Sequence, residues 1–300
     1  MLVGVIFTAF GLVYTARTLA ATQEGQVTDR YTKAVEQLAS PATDVRLGAL
    51  YALQRIAIDS SRDRPTIRNL LAAFVRNHDA CSVQPLPKQC SMKDSEAGAG
   101  LRIELTQLPT DTRTALNIAR ALTVAGDDRL DLARVRFPSV DLRGIDLSGM
   151  NLTAATLRGA DLSNSILIAT NLRGANLTRA SLNDANMSGA DLGLDGVSAA
   201  DMRNTQLGRT NLRGANLNGV DLSNANMILA DLRNAELMAA DLTKVVAWQA
   251  NMSRVSLTNA SLKDADLREV DLRGAYLGGM KEMSPEQVRK MAITDATTTF

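Results

Sequence analysis

From position 132 to position 277 an apolar residue returns at every fifth place, through 30 consecutive pentads with no insertion, and in 23 of them it is Leu. The other seven are Phe137, Met187, Val197, Met202, Met227, Ala247 and Met252. This period excludes both simple elements. In an α-helix five residues advance about 500°, so successive Leu would scatter around the axis. In a flat strand an odd step sends alternate Leu to opposite faces. One corner per pentad removes the conflict, because the chain then turns through two outward residues and every Leu comes back to one interior.

The remaining pentad positions fit that geometry. Two residues before nearly every centre stands a small or β-branched side chain, Ala in 16 pentads and Val in six. Between it and the centre lies Asp or Asn in 19 pentads, and Gly is frequent at the last position, as at Gly144, Gly159, Gly174 and Gly214. Runs such as ATLRGADLSNS (154–164) and TNLRGANLTRA (170–180) resemble the pentapeptide repeat family, whose pattern is Ala-Asp/Asn-Leu-x-x. The resemblance covers half of the chain. It implies a mainly β fold, a right-handed quadrilateral β-helix with four pentads per coil, about 7.5 coils and about 36 Å long at a strand spacing of about 4.8 Å.

Such a rod exposes strand edges at both ends. Residues 110–124 read as a helix with Leu116, Ile118, Ala119 and Leu122 on one side, placed to lie over the first coil. Ser284-Pro285-Glu286-Gln287 is a capping-box start with Pro at the first helical position, opening a helix that should end near Ala292 and cover the far end.

Before the rod, residues 1–16 carry no charge until Arg17. Extended to residue 21 with Arg17 snorkelling, the run reads as a membrane-anchor helix. A cleaved leader is the competing reading, but it lacks a basic start and a small-x-small site before Gln23. Arg17, Arg30 and Lys33 follow the run and no Lys or Arg precedes it, so the anchor reading places the body in the cytoplasm. Residues 22–78 should hold about three helices, marked by Tyr31, Ala34, Val35 and Leu38, then Val45, Leu47, Leu50, Leu53 and Ile56, then Ile67, Leu70, Leu71, Phe74 and Val75. The stretches RYTKAVEQL and DVRLGALYALQRIA resemble the helical segment before the rod in bacterial membrane-anchored members of the family. The expected organisation is therefore an anchor (1–21), a helical segment (22–78), a linker (79–108), an amino-terminal cap (109–129), the rod (130–279), and a capping helix with tail (280–300).

Chemistry-bearing constellations are sparse. His78, Cys81 and Cys90 are the only His and Cys residues, and three ligands with eight residues between the thiols do not make a zinc site. In a cytoplasmic body two thiols without a role are expected. The sequence shows no phosphate loop, nucleophile-base pair or dinucleotide fingerprint, so no catalytic residue, metal or cofactor is assigned and a non-enzymatic binding or scaffold protein is expected. No small-molecule substrate or nucleic acid is expected as partner. Some members of the family act as DNA mimics on topoisomerases, the alternative reading, but residues 130–279 hold 16 acidic and 15 basic side chains, which gives no DNA-like field.

Grouping pentads four apart stacks Arg173, Arg213, Arg233 and Arg273 with Asp191, Asp231 and Asp271, which reads as a self-neutralising solvated face. A second face gathers the outward residues Ile166, Ile168, Ile228, Leu229, Val246 and Trp248, a candidate contact patch for a protein partner. Burial under the amino-terminal helices would account for it equally. Asp195 falls at an inward position, where an unpaired carboxylate is costly, and a bulge around 194–197 is expected.

Overall fold

The computed structural model describes residues 2–82, 85–91, 104–194 and 198–300. Helix α1 (Leu2–Leu38) runs unbroken for 37 residues. In its polar middle Thr18, Thr22, Thr28 and Thr32 turn their hydroxyls back onto the carbonyls four residues earlier, at 2.8–2.9 Å, which satisfies the side chains within the helix. The expected anchor and the first helix of the expected helical segment are therefore one helix. Among the described residues no helix is long and apolar enough to cross a membrane. This overturns the single-pass anchor over residues 1–21, the link to the membrane through it, and the cytoplasmic placement that rested on it. The physical reason lies in length. The uncharged run gives only about 24 Å of helix against about 30 Å of hydrocarbon, and the same helix goes on to carry Arg17, Glu24, Asp29 and Arg30.

Ala34 and Leu38 of α1 meet Leu50, Leu53 and Ile56 of α2 (Thr43–Asp59), and α3 (Arg64–Asn77) adds Ile67, Leu71, Phe74 and Val75 to the same core. Pro65 in the first turn of α3 is pre-set for helix. Helix α5 (Thr110–Ala121) buries Ala115, Leu116, Ile118 and Ala119 and packs on α2 and α3. Charge-assisted bonds then seat this bundle on the rod. The buried Asp79 carboxylate accepts from Arg136 Nε and Nη2, both at 2.9 Å. Arg120 Nε reaches Asp146 at 3.1 Å, and Arg113 Nη2 donates to Asp141 O at 2.8 Å. Strand β1 (Thr106–Gln107) pairs in parallel with β2 (Val140–Asp141), which covers an upper edge of the first coil.

The rod wall is built from single-residue parallel bridges, Asp131 to Asn151 to Asn171 and so on, twenty residues apart, so four pentads make one coil. A mainly β description has to be narrowed accordingly. Each side of the coil offers too few residues before the next corner for an extended strand, and β1 and β2 are the named strands among the described residues. Inside, the Leu centres and the Ala or Val two places earlier are buried in one continuous core with the helical bundle. At the corners the last residue of the pentad sits near φ +60°, in Gly144 and Gly149 as in Asn164 and Asn234, which is why Gly and Asn recur there.

One coil is different. Bridges join Asn176 to Asp201 and Asp191 to Asn216, 25 residues apart. Ala200 N donates to Leu192 O at 2.8 Å, so the wall closes across the intervening pentad. Every later pentad is thereby shifted one face relative to a strict count by fours. Asp195 lies outside the described residues.

The far end closes with α6 (Pro285–Met291), whose Ser284 and Gln287 form a reciprocal capping box. The chain after it returns to the rod, where Ile293 bridges to Asp271 and Thr299 to Tyr276. Cys81 and Cys90 form a disulfide, and among the described residues no cysteine is free. This corrects the expectation of two unpaired thiols, which followed from the cytoplasmic placement. Short helix α4 (Lys88–Ser91) brings Cys90 back beside Cys81.

Candidate functional site

The skipped pentad redistributes the outward residues. Ile228, Leu229, Val246 and Trp248 come together on two stacked coils of one face, the column through Gln206, Asn226, Val246 and Asp266. Ile166 and Ile168 belong to the neighbouring column, which runs through Asn186, Asn211 and Asp231. They stand three to four coils away, roughly 14–19 Å along the axis. The six residues grouped from sequence are thus a cluster of four and a separate pair. Arg173 and Asp191 likewise part from Arg213, Arg233 and Arg273.

None of the six is covered by the amino-terminal helices. Ile166 and Ile168 are 39 % exposed, Val246 and Trp248 38 %, and Leu229 47 %, with Ile228 half-buried. The four clustered side chains are held by the wall beneath them. Met227 N donates to Val246 O at 2.7 Å and Leu229 N to Trp248 O at 3.1 Å, fixing the two coils in register. A polar rim surrounds them. Arg209 pairs with Asp184 at 2.6 Å, Arg268 with Asp266 at 2.7 Å, and Gln249 Nε2 donates to Glu269 Oε2 at 2.8 Å. The bond from Arg209 holds the Asp184 carboxyl below the usual range, and that from Arg268 does the same for Asp266.

Local bonding in the cluster varies as it does along the rest of the wall. Where Asp or Asn precedes the centre it accepts the N–H two residues on, as Asp231 does from Arg233 at 3.2 Å and Asn226 from Ile228 at 3.1 Å. Val246 has no acceptor to offer Trp248. Leu229 holds φ near +60° at its corner, as Ala154, Arg179, Gln249 and Arg254 do at theirs. Sequence reasoning missed a further exposed pair, Leu194 and Met238, on the column of Asp191, Asn216 and Glu236. Gly219 lies between them, and a Cβ there would meet Leu194 Cβ at 3.4 Å. Their outward pentad positions were the available signal.

Eight copies of the family model "pentapeptide repeats" match residues 131–167, 167–193, 200–237 and 235–274, breaking where the wall skips a pentad. The rod belongs to the pentapeptide repeat family. Its repeats imply a right-handed β-helix, here with four-sided coils. Among curated proteins the chain has no match. Solved structures similar to this pentapeptide rod include a pentapeptide repeat protein of the Arabidopsis thaliana thylakoid lumen, 36 % identical over 35 % of this chain and 69 % of that one, with a TM-score of 0.32. HetL, a pentapeptide repeat protein involved in heterocyst differentiation regulation in the cyanobacterium Nostoc, is 28 % identical over 50 % and 81 %, at 0.23. A variant of QnrB1, a plasmid-mediated fluoroquinolone resistance protein, is 20 % identical over 55 % and 87 %, at 0.36.

Proposed function

We propose that this pentapeptide rod acts without catalysis, as a rigid binding module that presents the Ile228, Leu229, Val246 and Trp248 face to a protein partner. The reading is carried by one observation: four large apolar side chains share two stacked coils of one face, whereas the exposed Ile166 and Ile168, and Leu194 and Met238, stand as pairs on other columns. An apolar centre with a charged rim is the anatomy of a protein contact, and a buried Trp is the side chain most often found to dominate one.

The alternative, a topoisomerase-directed DNA mimic, finds less support. A mimic needs an uncompensated acidic face, whereas Asp141, Asp201, Asp231, Asp266 and Asp271 are each paired with the Arg two residues on. Proximity labelling in the native cell separates a contact face from a solvated one. Trp248→Asp should remove a defined set of neighbours, while Ser223→Asp, on another face of the rod, keeps them. An unchanged neighbour set in a folded Trp248→Asp protein would overturn the reading.

A further inference from the structure

The column of outward residues Arg213, Arg233, Ser253 and Arg273 follows the bridges at Asn211, Asp231, Asn251 and Asp271. Ser253 is the short side chain in that column, so a notch opens at its coil. The cavity there is about 440 Å³, with Arg233 and Arg273 on either side along the axis and Arg254 at its flank. Ser253 Oγ is turned inward onto Asn251 Oδ1 at 2.8 Å, which keeps the notch clear. Gly274 forms part of its lining, and a Cβ there would come within 3.2 Å of Arg254 Cγ, so the glycine leaves room for the Arg254 stem.

The charges around the notch do not cancel. Arg233 commits Nε and Nη2 to Asp231 at 2.8 and 2.5 Å, and Arg273 commits the same atoms to Asp271 at 2.9 and 2.7 Å. Each guanidinium therefore keeps Nη1 for another acceptor. Among the described residues Arg213 and Arg254 have no ion-pair partner, although Arg213 helps to hold the Asp231 carboxyl down. The remaining carboxylate, Asp295, accepts on Oδ1 from Thr297 N, Thr297 Oγ1, Thr298 N and Gly274 N at 2.7–3.2 Å and also acts on Arg273, so four guanidinium groups stand against the three carboxylates Asp231, Asp271 and Asp295. Planar guanidinium forks converging on a concave site are the chemistry that recognises tetrahedral oxyanions.

We propose that this notch binds one phosphate dianion, either free or as a monoester. It lies on the face next to the apolar cluster and does not depend on that cluster's role. The test uses the full chain, titrated with inorganic phosphate and separately with phenyl phosphate above pH 7, read by calorimetry and by the arginine Nε–H resonances. Saturable binding of one anion per chain is expected, with Arg233, Arg254 and Arg273 resonances moving and affinity falling as salt rises. Arg254→Ser should weaken it about tenfold or more. Ser253→Glu, which places a carboxylate in the notch, should abolish it. Arg203→Ser, on the opposite face, should leave it unchanged. Binding of both probes assigns the site to a phosphate group carried on a larger molecule, and binding of inorganic phosphate alone assigns it to the free ion. Failure of both probes to saturate, or unaltered binding in both Arg254→Ser and Ser253→Glu, would sink the proposal.

Discussion

Leu229 shows how a single residue separates what the wall needs from what the surface offers. At φ +60° the Cβ of any residue but Gly crowds the following carbonyl, a penalty of roughly 1–2 kcal/mol that Gly avoids. Gly in turn loses about 0.5–1 kcal/mol in chain entropy. Leu229 is exposed, so its removal forfeits little burial. Leu229→Gly should therefore leave the denaturant unfolding free energy within about 1 kcal/mol of the parent while thinning the neighbours that depend on the apolar face. A loss above about 2 kcal/mol would make Leu229 a structural residue. At this scale the sequence was readable. The inward positions follow from the fifth-residue repeat, and the frequent Gly at corners follows from the positive φ. Val246 and Leu229 stood out as large apolar residues at outward pentad positions.

At the scale of elements, legibility depended on whether a local signal existed. Ser284 to Gln287 announced α6 because a capping box is complete within four residues. Nothing comparable announced the return of Ile293 and Thr299 to the last coil, since that pairing is set by the rod they join and not by their own neighbours. Asp295 fixes the return. Its carboxyl is pushed down to about 2, first by the Thr297 hydroxyl and then by the Gly274 and Thr297 amides. A depressed carboxylate contributes stability that is present above its unfolded value near 3.8 and lost as pH falls through the folded one. The Gly274 and Thr297 amide resonances should accordingly titrate together with a midpoint near pH 2. A midpoint near 4 would mean that the turn does not hold its carboxylate. The amino-terminal anchor failed for the opposite reason, because an apolar run was visible but its length fell short of a span and the helix continued through charge.

For the whole molecule, the decisive feature was invisible to a count of residues. The five-residue period passes through 195–199 without a break, so the sequence presents 30 equivalent pentads while the wall uses the chain between Leu192 and Ala200 differently. Asp195 at an inward position was the one sign of it, and the resulting quarter-turn split the candidate patch and the arginine column. The same stacking logic makes the ends vulnerable. In the intact chain Leu272 N donates to Ile293 O at 2.8 Å and Leu277 N to Thr299 O at 2.7 Å, while Val270 O and Ala275 O accept from Ile293 N and Thr299 N. Ending the chain at Met283 would strip these partners from two sides of the last coil and uncover the core beside Val288. Because the opposite end is already covered by α5 and β1, the bared edges can pair with those of a second copy, and a two-fold arrangement closes after one partner. The truncated protein should therefore keep its rod signature in circular dichroism but show concentration-dependent dimers in sedimentation velocity that the intact protein lacks under the same conditions. If both forms sediment alike, the closing segment is not what keeps this end from pairing.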